Sequence, residues 1–222
     1  MQQFATPAAV SVVLDIPAGH LRFVAADRAD TTVEVRPADA AKSRDVKAAE
    51  QTEVTCTDGV VRIHARDPKN RILGPTGSVE ITVQLPTGSS IDAKAALAEL
   101  RGVGRLGDVT VEAAQGTVEL DETASARLTL QAGDLTVGRL GGPAELRTQK
   151  GAIRIAEAVR GAVVLDAQAG DITVTAAPGV SASLDAGTAY GRIHNALKNT
   201  EGTADLTIRA TTAYGDITAR SL

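Results

Sequence analysis

Down the second half of the chain a glycine is repeatedly followed two residues later by an aliphatic residue, as in Gly133-Asp-Leu135, Gly151-Ala-Ile153, Gly170-Asp-Ile172, Gly191-Arg-Ile193 and Gly215-Asp-Ile217. Taking Ala98 and Gly116 as two earlier anchors gives seven copies, spaced by 18, 17, 18, 19, 21 and 24 residues. Two positions after the anchors stand Leu100, Val118, Leu135, Ile153, Ile172, Ile193 and Ile217. Seven positions before them stand Ile91, Val109, Ala126, Ala144, Val163, Leu184 and Ile208. Both columns are apolar in every copy, which is the mark of a repeat protein.

Inside each copy apolar and polar residues alternate, as in Leu128-Thr-Leu130, Leu135-Thr-Val137, Ile153-Arg-Ile155 and Ile172-Thr-Val174. Alternation at period two describes a strand with one face in the core and one in water. Helix competes poorly, because valine, isoleucine and threonine fill these segments and glycine interrupts them. The glycines mark corners, where the chain needs backbone angles that a Cβ resists. A unit of about 18 residues cannot bury its own apolar stripe, whereas stacking on a neighbour closes its hydrogen bonds and covers the stripe together.

The expected fold is therefore all-β, a single-stranded parallel β-solenoid of about 18–24-residue coils. A β-sandwich also supplies many short strands, but it does not require the same glycine-and-aliphatic register in each. The N-terminal part carries alternating runs at Val10-Leu14, Leu21-Ala25, Thr32-Val35, Val60-His64 and Val79-Leu85. Turns are expected at Pro17-Ala-Gly19, Asp58-Gly59, Gly74-Pro-Thr-Gly77 and Pro86-Thr-Gly88. The stretch Ala38 to Glu53 reads as a short helix or an excursion from the sheet. One domain over 1–222 is expected, with residues 1–90 as a divergent N-terminal cap and 91–222 as regular coils. A terminal coil has an open sheet edge to cover, so its sequence should differ.

Composition narrows the setting. A net charge of −4 with no dense lysine or arginine run argues against nucleic acid as a partner. No apolar run is long enough to span a membrane, and Met1-Gln-Gln-Phe-Ala-Thr-Pro7 lacks the regions of a secretory signal, so a cytoplasmic setting is expected. The one cysteine, Cys56, permits no internal disulfide.

The segments Leu14-Asp-Ile-Pro-Ala-Gly19 with Leu21 and Phe23, Val33-Glu-Val-Arg-Pro37, Asp58-Gly59 and Val79-Glu-Ile-Thr-Val-Gln-Leu-Pro86, followed by the glycine coils, resemble one family. It is the bacterial "putative adhesin" or β-strand-repeat domain of unknown function, also called Toastrack, and the resemblance covers nearly the whole chain. That family's Ser-Gly-Asp corner is replaced here by Gln115-Gly116-Thr117, Lys150-Gly151-Ala152 and Tyr190-Gly191-Arg192. The resemblance implies a parallel β-solenoid without established enzymatic activity. It further implies a scaffold or sensor role linked to envelope-stress systems, often beside membrane segments that this chain lacks.

Candidate chemistry is sparse. Asp108, Asp134, Asp171 and Asp216 follow the corner glycines and invite a calcium reading. However, one carboxylate per coil falls short of the six to eight oxygens calcium takes, and Thr117, Ala152 and Arg192 stand at the same position elsewhere. A solvated aspartate that supports the turn is the expected role. Glu119, Asp121 and Glu122 form the compact acidic group that a polysaccharide-active β-helix would need, but no second cluster lies in register. The chain has no tryptophan to serve as a sugar platform. His20, His64, His194 and Cys56 lack companions at metal or catalytic spacing.

No enzyme, cofactor or metal site is therefore expected. The candidate partner-binding residues are Tyr190 and Tyr214, from the near-identical Thr188-Ala-Tyr-Gly-Arg-Ile193 and Thr212-Ala-Tyr-Gly-Asp-Ile217. One coil apart, they would stack either as a structural ladder or as an exposed aromatic patch. Asn195, Lys198 and Asn199 join them, from a loop over Asn195 to Gly202 expected to protrude. The expected partner is another protein.

Overall fold

The computed structural model describes residues 1–65, 77–199 and 203–222. Gly74, Pro75 and Thr76 of one expected turn, and Thr200, Glu201 and Gly202 of the expected loop, lie outside the described residues. The chain is all-β, and its described residues form sixteen strands in one sheet and a single helix. In order these are β1 (Gln2–Ala5), β2 (Ser11–Ala26), β3 (Asp30–Pro37), α1 (Ser43–Gln51), β4 (Thr52–Thr57), β5 (Val60–Ala65), β6 (Val79–Pro86) and β7 (Ser90–Ala132). There follow β8 (Leu135–Leu140), β9 (Ala144–Lys150), β10 (Ile153–Ala158), β11 (Gly161–Ala169), β12 (Ile172–Ala176), β13 (Ala182–Tyr190), β14 (Ile193–Ala196), β15 (Leu206–Tyr214) and β16 (Ile217–Ser221).

The two apolar columns of the repeat become two parallel ladders. In the first, Ala126 pairs with Ala144, Ala144 with Val163, Val163 with Ile208 and Ile208 with Leu184. In the second, Val118 pairs with Leu135, then Ile153, Ile172, Ile217 and Ile193. Like side chains stand above one another and fill one continuous cluster, in which Leu135, Ile153, Ile172 and Ile217 are wholly buried. Parallel strands buried in this way need the rows of branched aliphatics that the repeat supplies.

Corners are made by glycine for a steric reason. Gly116, Gly133, Gly151, Gly170, Gly191 and Gly215 all have φ between +136° and +159°. A Cβ at any of them would lie 1.5 to 2.2 Å from a backbone carbonyl oxygen in the adjacent coil. Each glycine thus gives both an angle closed to L-residues and room for the neighbouring backbone. Hydrogen bonds run on through the corners, as from Gly133 N–H to Lys150 O and Gly151 N–H to Ala169 O. The 43-residue β7 is one uninterrupted element for the same reason.

Parallel pairing begins before the regular repeat. The first half of β2 pairs with β5 and the start of β7, and its second half pairs with β6 and the next stretch of β7. The expected turn at Pro17-Ala-Gly19 is absent, because β2 runs through it while Ala18 and Gly19 stay in register with Leu97 and Ala98. Beyond this layer the ladders change sense: β4 is antiparallel to β5, β3 to β6 and β1 to β3. The β4–β5 hairpin turns on Asp58 and Gly59, both at positive φ, as a two-residue type I′ loop requires. The helical alternative for the stretch from Ala38 holds over Ser43–Gln51, where buried Asp45 accepts from Ser78 N–H.

The C-terminal copies do not stack in chain order. β12 pairs with β16, and β16 with β14; β11 pairs with β15, and β15 with β13. The last copy therefore lies between the two before it, and β13 with β14 forms the end of the stack. Ile193, expected inside the coil, is 46% exposed because no described strand stacks beyond it. Composition explains the order. The row Leu120, Val137, Ile155, Val174, Ala219 faces the core and continues to Asn195. An asparagine sandwiched in that row would bury an amide among aliphatics. At the end of the stack Asn195 stays exposed and its Oδ1 accepts from Leu197 N–H at 3.0 Å.

Three expectations follow. Ile153→Lys buries an unpaired charge between Leu135 and Ile172, and should cost about 4 kcal/mol or more in urea-induced unfolding. Gly133→Ala, whose Cβ would meet Gly116 O at 1.5 Å, should cost more than about 3 kcal/mol. Gly187→Ala, where a Cβ meets nothing within 4 Å, should change stability by less than about 0.5 kcal/mol.

Candidate functional site

The corner aspartates act across coils. Asp134 Oδ1 accepts from Ala152 N–H at 2.7 Å, Asp171 Oδ1 from Asp216 N–H at 2.8 Å, and Asp216 Oδ1 from Arg192 N–H at 2.8 Å. Each carboxylate closes the backbone of the neighbouring coil just past its glycine, a charge-assisted bond that fixes the corner. Asp108 differs, accepting from Ser125 Oγ at 2.6 Å. Among the described residues no three His, Cys, Asp or Glu side chains gather in a way that would hold a metal ion.

Threonine supplies a second corner device, outside the expectations drawn from the sequence. Thr148, Thr188 and Thr212 each stand three residues before a corner glycine. Their hydroxyls donate to the carbonyl oxygens of Gly133, Gly215 and Gly170, at 3.2, 3.1 and 3.1 Å. The signal was the recurrence of Thr-x-x-Gly in those three copies.

The acidic group is tied to arginines from adjacent coils. Arg101 reaches Glu119 at 2.9 Å and Asp121 at 2.7 Å, and Asp121 also accepts from Gly104 N–H at 3.2 Å. Arg139 lies between Glu122 and Glu157, which flank it in register on either side, and pairs with both. Such partly exposed pairs contribute little individually to stability. They do tie the three carboxylates to cations, unlike the facing acid and base of a glycosidase.

The histidines and the cysteine stay apart. His20 Nδ1 lies 2.9 Å from Glu99 and His64 Nε2 3.5 Å from Glu53, while His194 is exposed on β14. Cys56 is half-buried on β4 opposite Val61.

Tyr190 and Tyr214 are neighbours in register and stack, with ring centroids 5.0 Å apart and planes within 4°. They close β13 and β15 beside their glycine corners and remain 67% and 60% exposed. Of the loop residues, Asn195, Lys198 and Asn199 are exposed. The segment is nevertheless fastened to the body. Asn199 Oδ1 accepts from Ser181 Oγ at 2.9 Å, Lys198 N–H donates to Ser221 Oγ at 2.9 Å, and Lys198 O accepts from Ala182 N–H. Expected to protrude, the described part of this loop instead lies along the end of the stack.

If the aspartates serve the corners, Asp134→Ala should lower stability by about 1 kcal/mol through the loss of the bond to Ala152. The melting temperature of the unaltered chain should be the same in calcium and in chelator, as read by differential scanning calorimetry.

No helix among the described residues is long and apolar enough to cross a membrane, which does not bear on the expected cytoplasmic setting. No curated protein sequence matches this chain. Its fold is similar to that of a "putative cell adhesion protein" from Clostridium sporogenes, at a TM-score of 0.39 and 8% identity over 100% of this chain and 98% of that one. It is also similar to a "putative adhesin" from Bacteroides fragilis, at 0.47 and 11%, and to one from Parabacteroides distasonis, at 0.44 and 15%. In both of these the match covers 100% of this chain and 95% of the other. The sequence pattern of the Toastrack DUF4097 family matches residues 8–220, nearly the whole length, and the chain belongs to that family, whose function is unknown.

Proposed function

We propose that this chain is a non-catalytic β-solenoid that serves as a scaffold or protein-interaction module, with residues 1–90 as the cap of one domain and residues 91–222 as coils of about 18–24 residues. The ladders support the solenoid reading, since rungs such as Val118, Leu135, Ile153 and Ile172 recur at nearly the spacing of the sequence repeat. A link to envelope-stress systems belongs to the same reading and rests on the family resemblance.

The observation that carries the interaction reading is the exposed tyrosine stack. The chain has two tyrosines, no tryptophan and two phenylalanines, yet both tyrosines stand together in water. A rigid aromatic pair offers apolar area at low entropic cost together with two hydroxyls, the combination enriched at protein interfaces. Asn195, Lys198 and Asn199 add exposed polar groups on the same terminal coils. Replacing both Tyr190 and Tyr214 by alanine should abolish partner capture from native lysate while leaving the circular dichroism spectrum unchanged. Undiminished capture by the double variant would remove the tyrosines from the binding surface.

A further inference from the structure

The two ends of the stack are built differently. At the N-terminal end the parallel ladders pass into antiparallel strands, β4 on one side and β3 with β1 on the other. At the C-terminal end β13 pairs with β15 alone and β14 with β16 alone. Ala182 N–H, at the start of β13, donates to Lys198 O, and no described strand pairs with the outer backbone of β13 from Ser183 onward or with that of β14. Between them the end of the core is uncovered: Leu184 and Ala186 are half-buried and Ile193 is 46% exposed, where their counterparts Ile208, Ala210 and Ile217 are wholly buried. Natural edges are blunted by proline, lysine or inward-pointing charge. β13, Ala-Ser-Leu-Asp-Ala-Gly-Thr-Ala-Tyr, has no proline or lysine, and its one charge, Asp185, faces water.

We propose that this end is an interface between two copies of the chain, joined by antiparallel pairing of β13 with β13 and β14 with β14 about a two-fold axis. The occupant follows from the shape of the edge. A single added strand would satisfy one ladder and leave the core between the ladders open, whereas another coil end covers both ladders and the core together. The opposite end of the same molecule carries different edges, β1 and β4, whereas a second copy of the same end matches both β13 and β14 at once, so like ends meet and the assembly closes at two copies. The area is sufficient. A nine-residue strand is about 30 Å long, and two packed ladders with their outer side chains are about 20 Å thick. Each copy would cover about 600 Å², and the pair about 1,200 Å², above the roughly 1,000 Å² expected of a specific interface.

Register is specified by the side chains. Pairing centred on Ala186 engages the seven residues from Ser183 to Ala189 of each copy, beyond the bond from Ala182 N–H to Lys198 O. It sets Leu184 against Thr188 of the second copy and Ala186 against Ala186, so core-facing positions meet core-facing positions. On the outer face it sets Asp185 against Gly187, with no like charges opposed. A shift that centred the pairing on Asp185 would oppose two carboxylates and leave two more residues unpaired.

Gly187 supplies the test, because a Cβ there meets nothing within 4 Å and its φ lies in the ordinary range, so the isolated copy tolerates a side chain. Gly187→Asp places two pairs of like charges across the interface, and Gly187→Lys places two opposite pairs. In sedimentation velocity at low salt the unaltered chain should form a dimer. The aspartate variant should raise its dissociation constant about tenfold, and the lysine variant should lower it. The melting temperatures of the dilute monomers should be unchanged. A chain that stays monomeric up to millimolar concentration would overturn the proposal. So would a dimer indifferent to both variants, or open-ended growth into filaments. The inference does not depend on the tyrosine surface, and replacing both tyrosines by alanine leaves the charge test at Gly187 in place.

Discussion

Everything in this structure depends on how closely one corner approaches the next. At each turn the backbone carbonyl of one coil occupies the place where the following coil would carry a Cβ, and glycine is the one residue that leaves that place empty. Glycine costs conformational entropy and adds no side chain to the core. The corner recovers part of that loss through fixed hydrogen bonds from aspartate on one side and threonine on the other. The invariant element is thus a missing side chain, and the aspartate is an adjustable support: Ala152 stands in its place at one corner and the ladder continues.

Once the corners align, the ladders follow. Aliphatic side chains two residues past the glycine stack as a single column, and the outward rows become alternating charges such as Glu122, Arg139 and Glu157. The ladder also exposes a constraint on order, since any copy with a polar residue in a core row must lie at an end. Asn195 is that residue, and the copy that contains it is displaced outward by the more apolar copy that follows it in the chain. Stepping outward and back explains why the last two intervals of the repeat are the longest. The chain passes over a place that it later fills.

Function is expected in what departs from the repeat, and the departures collect at one end. Stacked tyrosines, the exposed Ile193 and the uncovered backbone of β13 and β14 all lie on the terminal coils. The acids that first suggested carbohydrate chemistry are engaged by Arg101 and Arg139. Arg101 lies outside any local motif and reaches them through coil stacking, so its part could not be read from neighbouring residues in the chain.

The repeat by itself determined the class of fold, the inward columns, the place of each corner and the stacking of Tyr190 on Tyr214, because these depend on period, on Cβ sterics and on like residues falling in register. The sequence leaves the helix at Ser43–Gln51 open, and at Pro17-Ala-Gly19 it predicts a turn where the structure has continuous strand. There a local preference for bending is overridden by pairing with β7, residues some eighty positions away. Only the tertiary structure decided the order of the last three copies, since apolar periodicity is the same whichever neighbour a coil chooses. What decides it is the burial of a whole row at once, and that cost is felt only when Asn195 is placed against its rungs.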